Sequence, residues 1–460
     1  MRYNAVPMAA LPDRPVSRAA GRPALAVFAL LLLFSFADQS LTSPLLNPLL
    51  RDFFGTTADV VPLGWVTFAF TAFSALAMLA SGLAADRVSR TRLCLAGSLV
   101  YGIVSALAFA IPHGRPGYIL FFLMRALAGI GIGVIVPAVF SMAGDLIAAD
   151  RRSTVFGFMS VAILAGRMAG FGLGAGLAAD WRLAYVLVGA VNLALAASLL
   201  ALREPSRGAQ EIELRERLIE GTAYRFRLSR KDWRLLGASR TNFWLILNFI
   251  DVFPGSIVLF LIFKYMKDVH NMDAAGVNFA IVVVFAAGAA GAVVFGRLGD
   301  RAFRRDKRAK VIVALACNAV PIVFMVLFVL SRVRIPAGAS LAETLAIPGA
   351  WSLILTIAAA MFINQGVNPN WYGTLTDVNL PEHRGAIIAL ASVMDLAGSA
   401  LGPLIGSYIA TSWGLRAAMA SVLVFWVINV VLWLPALRHV RSDLDRTHRV
   451  LEERAASMRS

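Results

Sequence analysis

Five ionisable side chains stand inside otherwise apolar stretches of this 460-residue chain: Asp38, Arg125, Arg167, Asp251 and Asp395. A carboxylate can take up and release a proton, and a guanidinium can hold an anion or keep a neighbouring carboxylate ionised. Either group is costly among apolar neighbours, so it marks a solute path, a proton relay or a fixed ion pair. A sixth candidate is the amide- and aromatic-rich stretch Asn364-Gln365-Gly366-Val367-Asn368-Pro369-Asn370-Trp371-Tyr372. Its amides need a cavity to face, or partners on neighbouring helices. No Gly-x4-Gly-Lys-Ser/Thr loop and no His-Glu-x-x-His helix occurs, and His113, His270, His383, His439 and His448 are scattered. ATP-driven pumping, metal hydrolysis and enzymatic chemistry are therefore not expected, and neither is a cofactor or a metal.

The elements that must position these groups are membrane helices. Hydrophobic residues make up 59% of the chain and charged residues 15%, with a mean hydropathy of +0.73, whereas soluble domains are about 25% charged. Apolar runs predict twelve helical spans: 24–46, 61–84, 93–112, 117–143, 154–178, 183–202, 241–263, 273–296, 311–331, 350–371, 386–411 and 415–436. They are far too long for the strands of a barrel. The net charge of +16 reflects topology, not nucleic-acid binding. Of the 43 Lys and Arg, only Arg51, Arg115, Arg182, Lys264, Lys267, Arg332, Arg334 and Arg416 fall on one side, and Arg125 and Arg167 lie within spans. The rest share the side of the N-terminus, which predicts a multi-pass protein of the cell (inner) membrane with both termini in the cytoplasm. Cys94 and Cys317 lie in or near spans and imply no disulfide framework.

The chain also repeats itself. Gly82-Leu-Ala-Ala-Asp86-Arg87-Val-Ser-Arg90 returns as Gly296-Arg-Leu-Gly-Asp300-Arg301-Ala-Phe-Arg304, 214 residues later, each time where an apolar run meets a basic loop. Phe36-Ala-Asp38 matches Phe249-Ile-Asp251 at an offset of 213, which makes Asp251 the symmetry mate of Asp38. At an offset of 232, Gly166, Gly170, Gly174 and Trp181 fall on Gly398, Gly402, Gly406 and Trp413. At that offset Arg167 stands opposite Ser399 and Asp395 opposite Ile163, so neither charge is repeated. The predicted organisation is a tail (1–23), a six-helix bundle (24–202), a polar linker (203–240) with a surface helix near 209–220, a second bundle (241–436) and a tail (437–460).

These residues carry a resemblance. The twin Gly-x-x-x-Asp-Arg junctions resemble motif A of the major facilitator superfamily, and Arg125-Ala-Leu-Ala-Gly129-Ile-Gly131 resembles its motif B. Gly398-x-x-x-Gly402-Pro403-x-x-Gly406 has the form of its antiporter motif, though in span eleven; span five has the glycines but Phe171 in place of the proline. Arg125 to Gly131, Arg203-Glu-Pro-Ser-Arg-Gly208 and Asp377-Val-Asn-Leu-Pro-Glu-His-Arg-Gly385 are similar to the spinster-like branch. That branch usually carries an acid where this chain has Ile132. The resemblance implies an all-helical fold of two pseudo-symmetric six-helix bundles and secondary transport by alternating access. It implies a latch of Gly82, Asp86, Arg87, Arg90, Gly296, Asp300, Arg301 and Arg304 that stabilises an outward-facing state, each acid facing a helix N-terminus.

Depth brings Asp38 and Arg125 together. At about 1.5 Å per residue, Asp38 lies ~22 Å from the N-terminal side and Arg125 ~12 Å from the other, similar depths in a core about 30 Å thick. Since the resemblance puts both spans on a central cavity, protonation of Asp38 would free Arg125 for an anionic head group; the alternative is a static ion pair. Asp251 is either a site residue in an irregular helix, given Asn248 and Pro254, or a satisfied structural acid. Arg167 and Asp395 serve substrate recognition, or Arg167 pairs with Asp395 or with a carbonyl. Asn364, Gln365 and Asn368 line a cavity or glue helices. Gly129, Gly131, Gly166, Gly170, Gly398, Gly402 and Pro403 serve close packing. The expected function is proton-coupled transport of a small or amphipathic solute, such as a lysophospholipid-like anion, by a monomer among membrane lipids. Alternatives are a drug or metabolite exporter, a carboxylate uptake symporter, or a non-transporting scaffold or receptor.

Overall fold

In the computed structural model, residues 18–85, 88–146, 152–202, 204, 239–380 and 384–457 are described. Within them, twelve helices are long and apolar enough to cross a membrane. Spans one to six are Pro23–Leu41, Val61–Gly82, Arg90–Ala110, Gly114–Ala143, Gly157–Gly176 and Trp181–Leu200. Spans seven to twelve are Arg240–His270, Ala274–Phe303, Ala309–Leu330, Pro348–Asp377, Leu390–Trp413 and Leu415–Val450. Hydrocarbon supplies no hydrogen-bond partner, and a helix satisfies its own backbone. The surface where span one begins and span twelve's helix leaves is here the tail face; the opposite surface is the far face.

Several boundaries differ from expectation for local reasons. Span one ends at Leu41, not 46, because Pro44 has no N–H to donate and would clash with the carbonyl a turn earlier. A separate helix, Leu46–Phe54, follows on the far face. It buries Leu46, Leu49, Leu50 and Phe53, a helical spacing, and ends at Gly55 in the left-handed conformation (φ 71°). Its Asp52 is pinned by Arg182 (2.9 Å), Trp181 Nε1 (3.2 Å) and His113. Span seven is interrupted by a 3-10 turn at Asn248–Asp251, before Pro254. Span ten breaks between Asn364 and Val367, before Pro369. Span twelve's helix runs past the expected end at 436 as Leu415–Ser457, with Val440 and Leu444 buried. The linker from 205 to 238, with its expected surface helix, and the latch residues Asp86 and Arg87 lie outside the described residues.

The two halves pack alike. Spans one and five, two and four, and three and six pair in the first half; seven and eleven, eight and ten, and nine and twelve pair in the second. Across the halves, span two meets span eleven and span five meets span eight, two contacts that exchange when the halves are exchanged. Small residues allow these approaches. A Cβ on Gly166 or Gly170 would sit 2.1 Å from the carbonyl oxygens of Leu33 and Ala37 in span one. One on Gly398 would sit 2.6 Å from Phe249 O, and one on Gly402 3.3 Å or less from Ser256 Oγ and Phe253 O. Gly129 packs on Phe70 of span two and Gly131 on Gly97 and Tyr101 of span three.

The glycine contacts correct the pairing of the acids. They match Leu33 with Phe249 and Ala37 with Phe253, an offset of 216, where the sequence alignment gave 213. Asp251 therefore falls opposite Ser35, nearly one turn closer to the tail face than Asp38. Nothing in the linear pattern signals this slip; it accompanies the 3-10 turn that ends at Asp251.

Hydrogen bonds that tie the halves gather at the far face. Lys264 Nζ donates to Asn47 Oδ1 (2.5 Å) and to Asp268 (2.7 Å), and Asn47 Nδ2 donates to Asp268 (3.0 Å). Ser43 Oγ donates to Phe260 O (3.0 Å), the Val60 amide to Thr411 Oγ1 (3.0 Å), and Trp65 Nε1 to Tyr408 (3.3 Å). Among the described residues of the tail face, Lys310 and Asp443 make ties within the second half. Lys310 joins Asp300 (3.4 Å) to Asp377 (2.8 Å), and Asp443 accepts from Ser239 Oγ and the Thr241 amide (2.9 Å each) at the start of span seven. Replacing both Lys264→Met and Thr411→Val is expected to open the far face. A cysteine placed at Gln39 should then react several-fold faster with an impermeant maleimide from that side, the native Cys94 and Cys317 being buried.

Glu204 caps span three. Its carboxylate accepts from Ser89 Oγ, from the Arg90 amide (3.0 Å) and from Arg90 Nε (3.3 Å), an anion at a helix N-terminus. Partial burial works to raise its pKa, but the bonds from Ser89 and Arg90 outweigh it and hold the carboxyl below 4.5. A depressed carboxylate stabilises above its unfolded pKa and loses that contribution as pH falls through the folded value. Glu204→Gln should therefore lower the thermal midpoint at pH 7, and the gap from wild type should close on acidification below 4.5.

Candidate functional site

Between the halves lies a cavity of about 730 Å³. Spans one, two, four and five supply one wall, with Gln39, Thr42, Phe70, Arg125 and Arg167 among its residues. Spans seven, eight, ten and eleven supply the other, with Asp251, Gly288, Asn364, Gln365, Asn368, Tyr372 and Asp395. The breaks in spans seven and ten thus flank the cavity, where irregular backbone can be satisfied. Of the expected site residues, only Asp38 is absent from the lining; it lies behind Arg125.

Asp38 and Arg125 form a buried ion pair, Nη1 to Oδ2 2.6 Å, with side-chain exposures of 0% and 2%. The contact is single, not bidentate: Asp38 Oδ1 and Arg125 Nε are buried with no hydrogen-bond partner. Aromatic faces complete the guanidinium's surroundings, Phe70 at 4.3 Å and Tyr185 at 5.1 Å from its carbon, a favourable setting for a cation. The Tyr185 hydroxyl lies 3.3 Å from Thr42 Oγ1, and the Tyr101 hydroxyl donates to Phe34 O at 3.4 Å.

Asp251 occupies a different setting. Asn429 Nδ2 donates to its Oδ1 at 2.9 Å. Asn318, with its amide turned to satisfy both ends, donates to the same oxygen at 2.8 Å and accepts from Trp433 Nε1 at 3.1 Å. Span nine and span twelve therefore grip the acid of span seven. Arg167 is cationic without a carboxylate in reach among the described residues: its Nε is buried unpartnered, and the guanidinium lies 5.4 Å from the Phe36 ring centre. The expected alternative of an Arg167–Asp395 pair is not formed in this arrangement. The amides of span ten divide their roles. Asn364 and Asn368 line the cavity, Gln365 does so while donating to Met361 Sδ (3.7 Å), and Asn370 instead bonds Gly366 O (2.8 Å) and Phe295 O (3.1 Å).

The latch residues stand apart from the cavity. Asp300 is 74% exposed and its contact is the Lys310 ammonium, not a helix N-terminus; Arg301 and Arg304 are exposed, and Gly296 packs on Pro369. Arg90 is buried, bonded to Glu204 and to Ser141 Oγ (3.0 Å). Sequence reasoning missed Tyr101, Tyr185, Asn318 and Asn429. The rule applied to Asn364, that a lone amide in an apolar run needs a partner, would have found the last two.

An apolar recess of about 50 Å³ opens beside the cavity within the second half, walled by Val258, Ile262, Val277, Ile281, Met325 and Ile357. It shares Phe171, Gly255, Leu259, Phe285, Met361 and Asn364 with the main chamber.

Comparison with known proteins gives the following. The Major Facilitator Superfamily model matches residues 28–362 and 336–456. The fold is similar to a bacterial homologue of the human lysosomal transporter Spinster in an inward-facing, unoccupied conformation: TM-score 0.73, 18% identity, 93% of this chain and 99% of that one. The nucleoside transporter NupG is similar at TM-score 0.67 and 11% identity, over 90% of this chain and 99% of that one. Among curated sequences, the quinolone resistance protein NorA of Staphylococcus aureus is 26% identical over 39% of this chain and 46% of its own length. The multidrug transporter AQR1 of Candida glabrata is 31% identical over 31% of this chain and 24% of its own length. The chain thus matches less than half the length of these curated relatives.

Removing one member of the central pair tests its energetics. Arg125→Leu leaves Asp38 as an uncompensated buried anion and should destabilise by about 3–5 kcal/mol. The double variant Asp38→Asn with Arg125→Leu should recover most of that loss in thermal unfolding of the purified protein, since the two sites are in contact.

Proposed function

Because this chain belongs to the major facilitator superfamily, we propose that it is a proton-coupled secondary transporter of an amphipathic organic anion, a lysophospholipid-like solute, working by alternating access. The observation that carries the reading is the one-legged Asp38–Arg125 pair at the wall of the cavity. A proton taken up on the Asp38 carboxylate cancels its charge and releases Arg125 toward the chamber. Arg125 and Arg167 together then form a cationic first-half wall for an anionic head group. Return of the proton restores the pair and expels the head. The recess of the second half offers the apolar part of such a solute a hydrocarbon surface beside the chamber. Ile132, 93% buried, fills with hydrocarbon the place where an acid is usual in the branch the sequence resembles, so coupling rests on Asp38.

The halves rock about spans two and eleven and spans five and eight. The basic excess on the tail side puts both tails in the cytoplasm of a cell whose inner membrane holds the protein. With the far face tied, the arrangement is then cytoplasm-facing. A second reading, drug export, is favoured by the partial similarity to NorA.

One experiment separates these readings: flux in proteoliposomes of lysophospholipids, dyes and carboxylates, with and without a pH gradient. The expected result is lysophospholipid flux stimulated several-fold by the gradient in wild type and not in Asp38→Asn. Full transport with unchanged pH dependence in Asp38→Asn would sink the coupling. Flux of dyes alone would establish the exporter reading.

A further inference from the structure

The outward faces of spans nine and twelve change character toward the tail face. On span twelve, Val424, Val427, Val431 and Leu434 are exposed and recur at three- and four-residue spacing, one side of a helix. Membrane hydrocarbon covers such a stripe. Arg438 and Arg441 continue it at the same spacing, also exposed, on the same unbroken helix Leu415–Ser457. Span nine repeats the pattern: Val323, Val320 and Ile312 are exposed, and Arg308 stands one turn beyond Ile312. Spans nine and twelve pack together, and Lys307 bonds Asp445 at 2.7 Å across their tail-face ends. Arg441 lies within electrostatic reach of both Asp306 and Asp445. Two apolar stripes therefore end in one basic corner.

The acids of this corner are already engaged. Asp443 is buried and accepts from Ser239 Oγ and the Thr241 amide, Asp306 accepts from the Arg308 amide (2.9 Å) and Nε (3.3 Å), and Asp445 accepts from Lys307. Residues 301–310 and 436–452 carry ten Lys and Arg against four Asp and Glu, so basic charge is left over. Topology accounts for basic residues on this side of the membrane. It does not account for their standing on the very stripe that hydrocarbon covers one turn deeper. Guanidinium groups at that level match phosphate oxygens in charge and geometry. We infer that the tail-face corner of spans nine and twelve is a docking surface for an anionic phospholipid. Arg438 and Arg441 hold its phosphate, and its acyl chains lie along Leu434, Val431 and Ile312. Such a lipid braces the helix that organises this face. Asp443 ties that helix to Thr241 of span seven, and Thr447 Oγ1 donates to Val378 O at the end of span ten (2.8 Å). Docking therefore stabilises the second half, independently of what the chamber carries.

The test titrates the purified full chain with phosphatidylglycerol and with phosphatidylcholine of the same acyl chains, read by native mass spectrometry. The first phosphatidylglycerol should bind about tenfold more tightly than phosphatidylcholine, the order expected when a pair of arginines meets an anionic lipid. Arg438→Gln with Arg441→Gln should abolish that preference. Arg92→Gln with Arg240→Gln removes the same charge from two other exposed positions and should leave it intact. In nanodiscs, adding phosphatidylglycerol to phosphatidylcholine should raise the thermal midpoint of wild type by several degrees and leave that of the Arg438 and Arg441 variant unmoved. The two proteins should agree in phosphatidylcholine alone. Equal binding of the two lipids by wild type overturns the inference. So does an equal loss of preference in the Arg92 and Arg240 variant, which would make the attraction a property of the whole basic face. A lower midpoint of the Arg438 and Arg441 variant in phosphatidylcholine alone would make these arginines structural and overturn it too. Displacement of phosphatidylglycerol by an equal concentration of glycerol 1-phosphate would do the same, since the apolar stripes would then contribute nothing.

Discussion

Water's absence from the hydrocarbon core governs this molecule. Every backbone amide there must find its partner within its own helix, and every charge must find a counter-charge or a cavity. Twelve apolar helices follow from the first demand. The second decides where departures from a regular apolar helix can occur. The 3-10 turn of span seven and the break in span ten both border the central chamber, and Arg125, Arg167, Asp251 and Asp395 line it, with Asp38 directly behind Arg125.

Within that frame, the halves share a packing plan and differ in charge. Glycine faces bring span five onto span one and span eleven onto span seven at nearly backbone contact. That geometry repeats, and so does the pairing of the remaining helices. The acids do not. Asp38 is met by an arginine of span four, whereas Asp251 is met by amides of spans nine and twelve. A common scaffold thus carries one acid that is balanced by a formal charge and one that is merely solvated by dipoles. The two are unequal in what a proton would change.

Much of this was legible in the residues. Span number, the two halves and the depth coincidence of Asp38 and Arg125 follow from run length, repeats and rise per residue, quantities that regular helices preserve. The slip of Asp251 was not legible, because the register of two helices is set by which glycine meets which carbonyl, a tertiary contact that the linear pattern does not carry. Glu204 as a cap of span three depends on a tertiary contact more than 110 positions apart. The far-face ties were equally hidden: Asn47 and Lys264 carry no pattern that joins them until the folded halves do. The partial similarity to drug-resistance proteins and the whole-fold similarity to transporters of other solutes follow the same division. The frame is common property, and the charged side chains at the cavity wall are where the halves differ.

The far-face clamp has a thermodynamic consequence. Lys264 and Asp268 sit four residues apart on one helix, so their charges travel together when the halves separate. What parts is a neutral amide, Asn47, along with a few hydroxyl and indole contacts. Each neutral bond contributes only about 0.5–1.5 kcal/mol net and each of Asn47's bonds to a charged partner about 1.5–3 kcal/mol, whereas pulling apart a buried ion pair would cost about 3–5 kcal/mol. The seal is thus strong in number and weak in kind. Among the described residues no ion pair joins the halves there, so parting the far face breaks none.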